Sequence, residues 1–170
     1  MSALEVVDGA QWGQAVAAER LEPRDALGRL ILHHTAIPDP ALAAGDLAAE
    51  TAYMKRIERL HLDRGWAAVG YHFVIMPSGR VYSGRPPSAI GAHAHGNNED
   101  SIGIALAGDF ERERPNPAAI GSLRGLAEHL APTGRPLPLI AHGVLALTAC
   151  PGRLLRIALE PAAGATAPRV

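Results

Sequence analysis

Short apolar runs, none long enough for a buried helix, alternate along this chain with segments of helical period. That alternation restricts the fold to α/β architectures. Arg29 to His34 holds Leu30-Ile31-Leu32 between Gly28 and the Pro38-Asp39-Pro40 cluster and reads as a buried strand. Tyr71 to Met76 reads as a second strand, Pro77-Ser78-Gly79 as a turn, and Arg80 to Ser83 as the returning arm of a hairpin. Ser101 to Ala107 alternates small and branched residues as another buried strand, and Leu137 to Ala141 is a short one. Between them Asp46 caps a helix whose Leu47, Met54, Ile57 and His61 share a face while Lys55, Arg56, Glu58 and Arg59 turn outward, with Gly65 ending it. Pro117 to Leu130 reads as a second helix, with Ile120, Leu123, Ala127 and Leu130 on one face, and Arg153 to Leu159 as a last one. The expected fold is a mixed central β-sheet flanked by helices on both faces, in a single domain over residues 1–160.

Three segments lie outside this pattern. Residues 1–28 show little periodicity and are expected to pack irregularly on the domain, with Trp12 over an edge and Arg24-Asp25 in a turn. The stretch GRPPSAIGAHAHGNNED, residues 84–100, is too rich in Gly, Pro and Asn for a regular element and reads as a long surface loop. The tail PAAGATAPRV, residues 161–170, has nothing to bury and is expected to be mobile.

Composition narrows the function classes. With 16 Lys and Arg against 17 Asp and Glu there is no basic field to hold phosphates, which argues against a nucleic-acid partner. One cysteine makes no internal disulfide. No stretch approaches the roughly 20 apolar residues of a membrane span, so no stable membrane insertion is expected. The opening MSALEVVDGA lacks the basic start and apolar core of a signal peptide, so synthesis in the cytoplasm without such a signal is expected. A monomer is the expected state.

Chemistry concentrates in HGVLALTACPG, residues 142–152. It holds the lone Cys150 and, eight positions earlier, His142, with Pro151-Gly152 closing it as a turn. Thiolate and imidazole are ligand types that zinc selects. A third ligand has an upstream source in His33-His34, at the end of an apolar strand. Adjacent strand residues face opposite ways, so only one of the pair points at a metal. Three protein ligands leave a fourth corner open, the mark of a catalytic rather than structural zinc.

The order HHTA, GWAAVGYHF, hairpin, GAHAHGNN, SIGIALAGDF, HGVLALTACPG resembles the zinc-dependent N-acetylmuramoyl-L-alanine amidases, a family that includes phage lysozyme-amidases and animal peptidoglycan recognition proteins. The resemblance runs from the AQWG around Trp12 to Gly152. It implies one zinc per chain on His33, His142 and Cys150, with Tyr71 and Thr148 assisting the chemistry. Phage members often carry lysine at the Thr148 position, and catalytic recognition proteins often carry threonine. It implies further that His93 and Asn98 line a glycan-peptide groove. Trp66 is expected to pack in the core and to form one groove wall, and His34 and Arg85 are expected to meet substrate, Arg85 through a carboxylate. The aromatic pair that relatives carry after the hairpin Gly-Arg is replaced by Pro86-Pro87, which leaves the stem-peptide preference open.

The implied activity is hydrolysis of the amide between N-acetylmuramic acid and L-alanine in peptidoglycan. Zinc would polarise the carbonyl and lower the pKa of bound water toward about 7. Tyr71 and Thr148 would donate to the oxyanion. Two alternatives are a peptidoglycan-binding module that does not cut, and a zinc peptidase acting on stem peptides. The site of action would be the cell wall, reached by release or dedicated export.

Overall fold

The computed structural model describes residues 4–132 and 135–160. Its six strands form one sheet in the order β1-β4-β3-β5-β2-β6: β1 Val6–Val7, β2 Arg29–His34, β3 Phe73–Ile75, β4 Val81–Ser83, β5 Ser101–Leu106 and β6 Leu139–Ala141. Only the β3–β4 hairpin is antiparallel; β5, β2 and β6 run parallel at the other end. Parallel strands buried on both faces need continuous apolar sequence, and β5 is buried at every position.

The two faces of the sheet carry separate cores. Leu30 and Leu32 join Phe73, Ile75, Ile104 and Leu106 against Ile120 and Leu123 of α3 (Pro117–Leu130) and Leu155 of α5 (Arg153–Leu159). On the other face Val74, Met76 and Tyr82 pack against Tyr53, Met54 and Ile57 of α2 (Leu47–Leu62). Helices therefore cover both faces, as the sequence pattern predicts. Their starts follow the cap residues: Asp46 accepts from Ala48 N–H, and Asn116 accepts from Ala118 N–H ahead of Pro117.

The N-terminal stretch is more ordered than its sequence suggests. β1 pairs with β4 at the sheet edge. A four-residue helix, α1 (Gly9–Trp12), is closed by a reciprocal capping box between Asp8 and Gln11. Trp12 is buried, and its indole N–H donates to the Ser83 carbonyl at 2.9 Å. Two elements this brief leave no period to read. The strand expected over Tyr71–Met76 begins only at Phe73. Residues 71 and 72 still accept from Arg85 and Gly84 N–H, at 2.9 and 2.8 Å, so the ladder continues in an irregular form. A Cβ at Gly84 would sit 2.5 Å from the Tyr71 carbonyl, so that close approach requires glycine.

Residues 84–100 form no helix or strand, but they do not lie wholly on the surface. Arg85, Ala89 and Ala94 are buried, and Ala89 bridges to Pro23. The tail expectation falls on residues 161–170, outside the described residues.

Candidate metal centre

Parallel strands that end together bring their C-terminal residues side by side, and ligands of open α/β sheets gather at that edge. Leu32 of β2 pairs with Ala141, the last residue of β6, so the residues that follow them, His33 and His142, emerge as neighbours. Their rings lie 4.5 Å apart. His142 opens a short helix, α4 (His142–Leu145), and the chain then loops back to Cys150.

Two glycines shape that loop. Gly143 N–H donates to the Cys150 carbonyl at 2.7 Å, and a Cβ there would stand 2.9 Å from both the Cys150 and Thr148 carbonyls. Gly152 has φ +95°, and its Cβ would lie 2.5 Å from the backbone carbon of Phe110. The sequence TACPG thus folds back tightly on the end of β2. Cys150 Sγ stands 3.5 Å from His33 Nδ1.

The ligand atoms of His33, His142 and Cys150 lie within 4.8 Å of one another. Zinc bonds of about 2.0–2.3 Å imply tetrahedral edges of about 3.5 Å. The His33–Cys150 distance already meets that spacing, and the others need close by no more than about 1.3 Å. No fourth His, Cys, Asp or Glu joins the group among the described residues. The three side chains open onto a cleft of about 300 Å³ shared with Tyr71, Trp66, His61, Arg64 and Thr148.

The electrostatics suit a cation. Burial, followed by the neighbouring His93 and His142, holds His33 well below the usual imidazole range, so it is neutral and able to ligate. Burial lowers His142 too. The Cys150 thiol is pushed up to about 11 by burial, opposed by the His34 N–H. A divalent cation has to supply the positive charge that turns it into a thiolate.

Tyr71 stands with its ring 5.3 Å from that of His33. Burial raises its phenol above the ordinary value of 10, with the neighbouring Cys150 adding to the shift, so it stays a proton donor across the physiological range. Thr148 Oγ1 accepts the Cys150 N–H at 3.2 Å, which leaves its own proton free to donate. Trp66 forms a wall, with the His61 ring at 4.8 Å and the Arg64 guanidinium 5.3 Å above it.

Three residues read as substrate contacts are engaged elsewhere. His34 borders the cleft, but its Nδ1 accepts from Phe110 N–H at 3.2 Å and faces Asp109 on the opposite side of β2. Arg85 is buried and donates to the Val69 and Ile90 carbonyls at 3.1 and 2.9 Å, outside the cleft lining. Asn98 Oδ1 accepts from His93 and Ala94 N–H at 3.0 and 2.9 Å, holding its own loop together. His93 does line the cleft, with its Nδ1 3.1 Å from His33 Nε2.

Sequence reading passed over His61, Arg64, Thr35 and Ala36, which also line the cleft. His61 looked like one more inward helix position; its Nδ1 accepts Gly70 N–H at 2.9 Å and burial lowers its pKa to about 4. Ala36 carries φ +55° at the cleft edge, a strained conformation with no sequence signal, of the kind that gathers at functional sites.

A mixed sheet with two imidazoles and a thiol at its parallel strand ends, open on one side, defines a class of domain with a candidate site for one borderline-soft cation and a free position. The family follows from comparison with known proteins. Residues 24–153 match the N-acetylmuramoyl-L-alanine amidase family, and the chain belongs to it. It is 36% identical over 151 residues to an N-acetylmuramoyl-L-alanine amidase of Sus scrofa, covering 85% of this chain and 25% of that protein. Peptidoglycan-recognition protein SC2 of Drosophila simulans is 32% identical over 151 residues, covering 86% of this chain and 80% of the relative. The endolysin of Escherichia phage T7 is 38% identical over 103 residues, 58% of this chain and 68% of the endolysin. Among solved structures, Drosophila peptidoglycan recognition protein SD superposes with a TM-score of 0.83 at 28% identity, covering 94% of this chain and 96% of that one. The chain spans about a quarter of the length of the mammalian amidases it matches.

Proposed function

We propose that the chain is a zinc-dependent hydrolase of the amide between N-acetylmuramic acid and L-alanine in peptidoglycan, working as a monomer with one zinc on His33, His142 and Cys150. The observation that carries this reading is the convergence of those three ligands on an open cleft in a member of the amidase family. Zinc held there supplies Lewis acidity toward the scissile carbonyl and toward water. The Tyr71 phenol, kept protonated by burial, donates to the oxyanion that develops on that carbonyl. The Thr148 hydroxyl, fixed by the Cys150 N–H, supplies a second donor. Trp66 and His61 form an aromatic wall suited to a sugar or peptide face. The cell wall is the place of action, consistent with relatives that include a phage endolysin and recognition proteins.

A second reading, recognition without cleavage, draws on a structural neighbour, a point mutant of Drosophila peptidoglycan recognition protein LB in complex with tracheal cytotoxin, at 28% identity and a TM-score of 0.81. One experiment separates the two. Purified protein is incubated with peptidoglycan, with and without a zinc chelator, and new N-terminal alanine is measured. Release that chelation abolishes and zinc restores supports hydrolysis. Retention on peptidoglycan with no alanine released in the presence of zinc selects the recognition module.

A further inference from the structure

A histidine that binds a metal through one ring nitrogen needs its other N–H held by an acceptor, which fixes both the tautomer and the ring orientation. His33 turns Nδ1 toward Cys150 Sγ and Nε2 toward His93 Nδ1, at 3.5 and 3.1 Å. The hydrogen between His33 and His93 has a direction that the surroundings determine. Ser101 Oγ donates its only proton to the Asn97 carbonyl at 2.6 Å. Toward His93 Nε2, 3.5 Å away, that oxygen is therefore an acceptor. His93 thus carries its proton on Nε2 and presents a bare Nδ1. His33 then donates from Nε2, and its Nδ1 lone pair is left for a cation.

The reverse assignment, with a proton on His93 Nδ1, would place the His33 proton on Nδ1, facing Cys150 Sγ, where it competes with a cation.

The fold holds the His93 ring rigidly enough for this work. A Cβ at Gly103 would lie 2.4 Å from His93 Cγ, and one at Gly91 would lie 2.4 Å from His93 Cδ2. The ring occupies space that only two glycines leave open. Asn98 Oδ1 clamps the backbone of His93 and Ala94, and His72 packs edge-on against the ring at 5.5 Å. The segment GAHAHGNNEDS is thus a bracket that delivers one acceptor to the back of a ligand.

We propose that His93 is a positioning residue which, with Ser101 behind it, fixes the His33 tautomer and so sets the affinity of the metal site; this rests on the zinc reading above. His93 also lines the cleft, so its contact with the ligand's far nitrogen stands beside the expected one with substrate. The first test is ring-nitrogen NMR of the metal-free wild type, which reads tautomers directly. His33 and His93 should both carry hydrogen on Nε2, and a His33 ring protonated on Nδ1 overturns the proposal. The second test is zinc affinity by competition with a chromophoric chelator. His93→Leu should weaken binding by roughly 10- to 100-fold, while His93→Asn, whose Oδ1 falls near the lost Nδ1, should stay within about threefold of wild type. A His93→Leu protein as tight as wild type, or an Asn variant as weak as the Leu variant, sinks the positioning role while zinc binding by the wild type stands. A wild type that binds no zinc removes the metal reading itself.

Discussion

Gly152→Ala probes how the ligand loop is anchored, because two separate penalties fall on one methyl group. The backbone at Gly152 has φ +95° and ψ 144°, a region essentially reserved for glycine. Holding alanine there costs about 1–3 kcal/mol. The added Cβ would also lie 2.5 Å from Phe110 C, 2.8 Å from Phe110 O and 2.9 Å from Glu111 N. These are backbone atoms, and Leu154 N–H already donates to the Phe110 carbonyl at 2.9 Å, so they cannot swing aside as a flexible side chain would. Overpacking of this kind adds about 1–3 kcal/mol. The total is about 2–6 kcal/mol, a large share of the stability of an ordinary domain.

The control is Gly65→Ala. Gly65 has φ +79° with nothing within 4 Å of its built Cβ, so only the conformational part applies, roughly 1 kcal/mol. Urea unfolding of both variants in chelator, at matched m-values, gives the comparison. Relief of the clash in the folded Gly152→Ala protein must move Cys150, two residues away, so its zinc affinity should fall more than tenfold while Gly65→Ala leaves affinity unchanged. Equal destabilisation by the two substitutions would refute the claim that Phe110 braces the loop.

Tyr71→Phe removes the phenolic donor and should lower turnover of peptidoglycan by about 10²–10³, with zinc content and peptidoglycan retention unchanged; retained turnover removes Tyr71 from the chemistry. Glu50→Ala takes a wholly buried carboxylate away from Ser78 Oγ at 2.5 Å, and from Arg80 Nη1 and Tyr82 OH at 3.1 Å each. It should cost about 2–4 kcal/mol in urea unfolding, since Tyr82 OH loses its buried partner while Arg80 keeps Glu5. Acid should destabilise the metal-free protein through two buried histidines. Burial lowers His61 and His72 to about 4, so below about pH 6.5 the unfolded chain binds protons that the folded chain refuses. Stability from these two residues is complete above that pH, declines as pH falls toward 4, and contributes no further change below it. A urea midpoint equal at pH 7 and pH 5 contradicts this. His72→Asn, which keeps an acceptor for the Gly103 N–H now held at 3.0 Å by His72 Nδ1, should flatten the slope.

What the sequence revealed and what it hid divide along a physical line. Strands β2 and β5 and helices α2 and α3 were legible because each carries its own periodic apolar pattern and its own cap, and those signals are local. Ligand chemistry brings His142, Cys150 and the His33-His34 pair together as candidates, but the choice of His33 rests on resemblance, because its meeting with His142 depends on the parallel register of Leu32 with Ala141, and no residue near either histidine encodes that pairing. The bonds that Arg85 and Asn98 make within the fold were hidden for a related reason. A polar side chain in an irregular loop has the same sequence signature whether it serves a ligand or its own backbone, and the choice falls to whichever carbonyl or N–H the fold brings within reach. In this loop the backbone took both side chains. The consequence extends to specificity. With Arg85 buried on carbonyls, the cation that remains at the cleft wall among the described residues is Arg64, stacked on Trp66. A guanidinium that reaches a carboxylate from this wall is thus Arg64's, beside the end of α2, and Arg64→Gln should weaken retention on peptidoglycan if that contact is made, which a sedimentation binding assay checks.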